Sequence, residues 1–129
     1  MLEMVTSEDI CLRVLDADPM IRFAAVASIE ADITAMQYRK GVEPLLNDEE
    51  SRLSVTQSLM RAAIRRTLEH KLGRTIYATA VYEKVKRATI SMFDVHLGKE
   101  TGLLMISVEK EANLESLVEN KILPLVENY

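Results

Sequence analysis

The sequence predicts an α+β fold, a five-stranded antiparallel sheet with helices on both faces, in the order α-β-β-α-β-β-β-α. Three observations lead there. Ile21 to Ile29 and Leu103 to Val108 read as strands apolar on both faces, and such strands need a covering layer on each side. Asp48 to Leu72 reads as one long amphipathic helix. Residues 74–93, RTIYATAVYEKVKRATISMF, read as two β-branched and aromatic runs joined by a short charged turn.

Each element follows from local chemistry. Thr6-Ser7-Glu8-Asp9 offers a hydroxyl cap followed by carboxylates, which suits the free N–H groups and the dipole at a helix start. Ile10, Cys11, Val14 and Leu15 form its apolar stripe, and Asp18-Pro19 ends it because proline disfavours helical geometry in the residue before it. In the first strand Ile21, Phe23, Ala25, Ala27 and Ile29 share one face by period two, with Ala24 and Val26 on the other. Glu30-Ala31-Asp32 is the turn into Ile33 to Tyr38, where Gln37, Arg39 and Lys40 suggest a sheet edge. Gly41 and Pro44 mark a loop.

Asn47 can cap the long helix, Glu50 stands three residues on as in a capping box, and Gly73 follows the last apolar residue as a terminating glycine. Leu53, Met60, Ala63, Ile64, Leu68 and Leu72 form its stripe, while Ser54, Ser58, Arg61, Arg65 and Glu69 face the other way. The hairpin follows, with strands Thr75 to Tyr82 and Arg87 to Phe93 about a turn at Glu83 to Lys86. A loop with Gly98 and Gly102 leads into Leu103 to Val108. Asn113 caps a last helix carrying Leu114, Leu117, Val118, Ile122, Leu125 and Val126, which Pro124 should kink or shorten.

The totals bound the function. With 129 residues, 48% apolar and 28% charged, the chain is large enough to fold on one core without metal or disulfide support. No repeat, low-complexity tract or linker divides it, so residues 1–129 are expected to form one domain. A net charge of −4 gives no overall attraction to nucleic acid or anionic lipid, and nucleic acid is not an expected partner. Cys11 is the only cysteine, which rules out an intrachain disulfide or a CxxC site and fits a reducing cytoplasm. No apolar run is long enough to span a bilayer, and MLEMVTSEDI lacks the basic and apolar regions of a leader.

A search for chemistry finds little. Asp94 and His96 lie two apart but have no third or fourth metal ligand at a recognisable spacing, and an exposed loop explains them. Cys11, on an apolar stripe, reads as a buried structural thiol. No serine sits in a GxSxG elbow, and Gly41, Gly73, Gly98 and Gly102 are too scattered to cradle a phosphate. Helix capping explains Asp48-Glu49-Glu50. Met20, Met36, Met60, Met92 and Met105 read as adaptable core filler. No catalytic residue, cofactor or metal is expected.

Two features stand out. Arg61, Arg65, Arg66, His70, Lys71 and Arg74 form a basic cluster in an acidic protein, either a solvated helix face or a contact surface for an acidic partner. With no tryptophan, four tyrosines and two phenylalanines, the chain has no stacking platform there for nucleic acid. The second feature is Thr75 to Tyr82, which contains no charge, proline or glycine. Soluble proteins protect edge strands with such residues, so if this strand is an edge, something should cover it. Thr75, Tyr77, Thr79 and Val81 face one way, and Ile76, Ala78, Ala80 and Tyr82 the other.

The order of elements, with LLNDEE (45–50) opening the long helix, Leu72-Gly73 before a strand, VYEKVKRATISM (81–92), LLMISVEKEAN (103–113) and KILPLV (121–126), resembles the roadblock / dynein light chain family of profilin-like domains. The resemblance runs from Thr6 to Glu127. It implies a non-enzymatic protein that works by contact, as a scaffold or a regulator of a small Ras-like GTPase. It implies pairing, as a homodimer or with another roadblock-like protein, through the third strand and the long helix. Carried onto this chain, the interface comprises Thr75, Ile76, Tyr77, Ala78, Thr79, Ala80 and Val81 with Met60, Ala63 and Ile64, and Arg61, Arg65 and Arg66 offer a further contact surface. A small-molecule sensor of similar helix-on-sheet architecture is the alternative, and would need a pocket with convergent polar groups.

Overall fold

The computed structural model describes residues 5–127. Residues 1–4 and 128–129 lie outside them, and with them part of the stretch read as lacking a leader. The elements are α1 (Ser7–Ala17), β1 (Ile21–Ser28), β2 (Ile33–Tyr38), α2 (Asp48–Arg66), α3 (Glu69–Leu72), β3 (Tyr77–Val81), β4 (Val85–Asp94), β5 (Lys99–Glu109), α4 (Leu114–Leu117), a π-helical turn (Val118–Ile122) and α5 (Leu123–Val126). All strand pairings are antiparallel and the spatial order is β2-β1-β5-β4-β3, which leaves β2 and β3 as the edges.

α1 and the C-terminal helical run cover one face of the sheet, over Ala24, Val26, Ile90, Leu104 and Ile106. α2 covers the other, over Phe23, Ala25, Leu103 and Met105. A bulge between Ile21 and Phe23 turns Ile21 onto the α1 face, away from the residues expected beside it, and Ile29 lies past the strand end, 42% exposed. One irregular residue shifts every preceding side chain to the opposite face.

The caps form as expected. Thr6 and Asp9 complete a capping box at α1, and Asn47 and Glu50 complete one at α2. At the far end of α1, the Asp18 carboxylate accepts from the Met20 N–H (2.8 Å) and pairs with Lys121 Nζ of the C-terminal run (2.8 Å). Arg39 of the segment after β2 binds the carbonyls of Ile21 (2.6 Å), Asp18 (2.7 Å) and Leu15. The hydrogen bond from Lys121, then that from Met20, hold the Asp18 carboxyl below its ordinary value of 3.8.

Several boundaries differ from expectation, each for a local reason. The long helix ends at Arg66 rather than Leu72. Thr67 and Leu68 donate to Ile64 and Arg65, three residues back, the Thr67 hydroxyl also binds the Ile64 carbonyl (2.8 Å), and a separate turn, α3, runs on to Gly73. The hairpin turn is tighter than expected, closed by the Tyr82 N–H on the Val85 carbonyl (2.9 Å). Gly102 is not in a loop but inside β5. A Cβ there would lie 2.3 Å from the Ala27 carbonyl oxygen, so β1 can approach only because the side chain is absent. In the C-terminal run the Leu123 N–H reaches back five residues to Val118, so the distortion near Pro124 takes the form of a π turn.

α2 departs most from the usual amphipathic arrangement. The side against the sheet is Ser51, Ser54, Val55, Ser58 and Ala62. Leu53, Met60 and Ile64 point away from it and are 56%, 61% and 69% exposed, so Met60 is not core filler. The floor explains this choice. Phe23 and Tyr38 pack with ring centroids 4.6 Å apart, Met105 and Leu103 lie beside them, and only small residues bring a helix down onto so bulky a surface. The Tyr38 hydroxyl and Ser51 Oγ meet at 2.7 Å.

Two outcomes test this description. Gly102→Ala should lower stability by about 1–3 kcal/mol through the clash with β1, measured by denaturant unfolding. Asp18→Asn should lower it by about 0.5–1 kcal/mol at neutral pH, the range of a partly exposed ion pair. Because the folded carboxyl titrates below 3.8, that stabilisation is full above this value and disappears as pH falls through the lower folded value, where the two proteins should converge.

Candidate functional site

β3 is an open edge, and the hydrogen bonds of its inner side show which groups face outward. The Tyr82 N–H donates to the Val85 carbonyl (2.9 Å), and the Ser91 N–H donates to the Ile76 carbonyl (3.0 Å). With Ala78 opposite Thr89 and Ala80 opposite Arg87 in the same register, the even-numbered residues exchange bonds with β4. The N–H and carbonyl groups of Tyr77, Thr79 and Val81 therefore point away from the sheet. They form a row ready to pair with another strand.

The side chains alternate as the sequence suggests. Tyr77, Thr79 and Val81 lie on the side of α4, where the Tyr77 hydroxyl donates to Glu119 (2.9 Å). That hydrogen bond holds the phenol above its ordinary range. Ala78, Ala80 and Tyr82 lie on the α2 side. Thr75 and Ile76 precede the strand, half-buried and exposed respectively, and Val81 is 75% exposed.

Between α2 and the β3–β4 hairpin runs a cleft. Its wider part, about 610 Å³, is flanked by Glu50, Ser54 and Gln57 of α2 and by Tyr82, Lys84 and Arg87 of the hairpin. The Ser54 hydroxyl is buried there without a hydrogen-bond partner in the described structure. Its narrower part holds Arg61 and Arg65 over Ala78, Thr79 and Ala80, with Arg87 alongside. Arg61 reaches only the Ser58 hydroxyl, at 3.5 Å, and neither it, Arg65 nor Arg87 forms an ion pair among the described residues. Arg66 differs, because its guanidinium is taken up by Glu100 at 2.6 Å. Arg74 stacks on Phe93, 4.3 Å from the ring centre, away from this cleft.

The structure thus brings the expected interface residues Ala78, Thr79 and Ala80 together with Arg61 and Arg65, and places Met60, Ala63 and Ile64 on the exposed side of the same helix. It separates Arg66 from them. The interface expected from the sequence leaves out Leu53, although it shares the stripe of Met60 and Ile64 and is exposed with them. It also missed Arg87, which only cross-strand register sets beside Ala80.

The remaining reactive groups have structural uses. Burial, followed by the charge of Glu8, pushes the Cys11 thiol up to about 11. That is a poor nucleophile. Asp94 accepts from the N–H groups of His96 (2.8 Å) and Leu97 (3.0 Å), which holds the β4–β5 turn. No three histidine, cysteine or carboxylate side chains converge on a metal position among the described residues, and no helix there is long and apolar enough to cross a membrane.

No protein-family model matches the sequence, and no curated protein does. Solved structures do. A roadblock/LC7 domain from Streptomyces avermitilis superposes with a TM-score of 0.71 at 10% identity, over 96% of this chain and 94% of that one. Myxococcus xanthus MglB gives 0.71 at 10% identity over 98% and 93%. An MglB structure described as having a tetrameric arrangement gives 0.72 at 15% identity over 99% and 90%. At such identities the likeness speaks for the fold, and the agreement spans nearly the whole of each chain. The protein has the roadblock fold.

Proposed function

We propose that the protein is a non-enzymatic, homodimeric adaptor of the cytoplasm, a single roadblock-like domain whose two copies join through β3 and α2. The observation that carries this reading is the outward row of N–H and carbonyl groups on Tyr77, Thr79 and Val81, in a strand with no charge, proline or glycine to protect it. Antiparallel pairing of two such strands would satisfy these groups and extend the sheet. Exposed Leu53, Met60 and Ile64 nearby add apolar surface of the kind that marks interaction sites. The tetrameric arrangement of the similar MglB structure supports self-association in this fold. A small Ras-like GTPase, or another roadblock-like protein, is the partner such a dimer would serve, in keeping with the family resemblance.

Light scattering at micromolar concentration should give twice the chain mass. Thr79→Pro removes an N–H that points outward, so it should leave the ladder to β4 intact and yield a folded monomer. Ala80→Pro, which removes a bond to β4, should unfold the hairpin instead. A Thr79→Lys protein of dimer mass would show that this strand is not the interface. The double variant Met60→Gln and Ile64→Gln replaces exposed side chains, so it should change monomer stability by less than about 0.5 kcal/mol while weakening the dimer. For the GTPase role, purified dimer should change the nucleotide exchange or hydrolysis rate of a Ras-like GTPase from the same organism. No effect on any of them would remove that part of the proposal.

A further inference from the structure

Strand register lays one row of side chains across the sheet beneath α2. Tyr38 of β2 stands opposite Phe23 of β1, Phe23 opposite Ser107 of β5, Ser107 opposite Arg87 of β4, and Arg87 opposite Ala80 of β3. All but Ala80 line the wider part of the cleft. The row changes character along its length, from two packed aromatic rings through a hydroxyl to a guanidinium. Two strand spacings, about 10 Å, separate Phe23 from Arg87. Ser107 lies on the central strand and is nevertheless only half-buried, so the cleft reaches down to the middle of the sheet.

The polar groups around this row divide into engaged and unengaged ones. The Tyr38 hydroxyl is taken up by Ser51 (2.7 Å), and the Arg22 guanidinium by Glu109 (2.9 Å) and the Glu43 carbonyl (3.0 Å). Of the two carboxylates lining the cleft, Glu50 accepts from the Asn47 N–H (3.0 Å) and Glu83 lies exposed on the hairpin turn beside Lys84. Arg87 is half-buried and its guanidinium has no ion pair among the described residues. Ser54 of α2 lines the same space, 6% exposed, and its hydroxyl has no hydrogen-bond partner among them. A carboxylate suits both, because it accepts two parallel N–H bonds from an arginine and has lone pairs left for a hydroxyl.

At about 610 Å³ the cleft falls within the size of ligand pockets, roughly 300–1,000 Å³. We infer that it binds a small carboxylic acid with an apolar ring, the ring set against Tyr38, Phe23 and Leu46 and the carboxylate on Arg87 and Ser107. Every group involved belongs to one chain, so the inference goes beyond the dimer reading and does not depend on it. The bound acid would tie α2 and the hairpin to the sheet between them.

Phenyl carboxylates of increasing length test this: benzoate, phenylpropionate and phenylbutyrate. The longer two span the row and should raise the melting temperature saturably at millimolar concentration, and should shift the amide NMR signals of Arg87 and Ser107. Benzoate, which is too short, propionate, which lacks the ring, and phenylbutanol, which lacks the carboxylate, should not. Arg87→Gln should weaken binding roughly tenfold or more. Arg87→Lys, which keeps a cation but not the paired donors, should weaken it less and serves if the glutamine variant does not fold. Arg61→Gln, in the narrower part of the cleft, should bind like the unaltered chain. Thr79→Pro should also bind like it, whatever the oligomeric state, which separates this inference from the dimer reading. If phenylbutanol binds as tightly as phenylbutyrate, or either Arg87 variant as tightly as the unaltered chain, the cleft is an apolar surface only and the inference falls. It falls too if neither longer acid gives a saturable shift.

Discussion

The position of β5 between β1 and β4 is the constraint on which the rest of the structure depends. Leu103 to Ile106 are buried on both faces of the sheet, so helices must cover both sides. The approach of β1 to this strand has no room for a side chain at residue 102. Once β1 and β4 flank β5, their remaining partners are fixed by short hairpins, and β2 and β3 become the edges. The two edges are unlike. β2 leads into Arg39, whose guanidinium ties it to the end of α1, whereas no strand among the described residues pairs with the outer side of β3.

The helix over the second face answers to the same sheet. Bulky Phe23, Tyr38, Leu103 and Met105 occupy the space beneath it, so α2 descends on serine and alanine. Its large apolar residues are consequently left outside. In a chain acting alone that arrangement exposes hydrophobic surface without gain. Beside an unprotected strand edge it fits the proposed dimer, in which one partner would cover both features.

Charge follows from helix chemistry as well. Carboxylates in the first turn and arginines toward the end favour the helix dipole. Arg87, which β4 adds to the basic end of α2, has no ion pair with any carboxylate among the described residues. The neighbouring Arg66, held by Glu100, shows how an arginine of this helix is neutralised when a partner lies within the fold.

Much of the architecture was legible in the sequence. A period-two run located β1 and an unbroken apolar run located β5, the Thr6 and Asn47 caps located two helix starts, and the absence of gatekeepers between Thr75 and Tyr82 singled out the open strand, because each is a local pattern with a local physical cause. The tertiary structure alone decided the rest. The bulge at Ile21 turned one residue to the other face, the close approach of β1 moved Gly102 from an assumed loop into a strand, and the crowded floor beneath α2 chose its serine side for the interior. The hydrogen-bond parity of β3 and the meeting of Arg87 with Arg61 and Arg65 depend on strand register. Register is set by packing between segments distant in the chain, and no single stretch of sequence contains it.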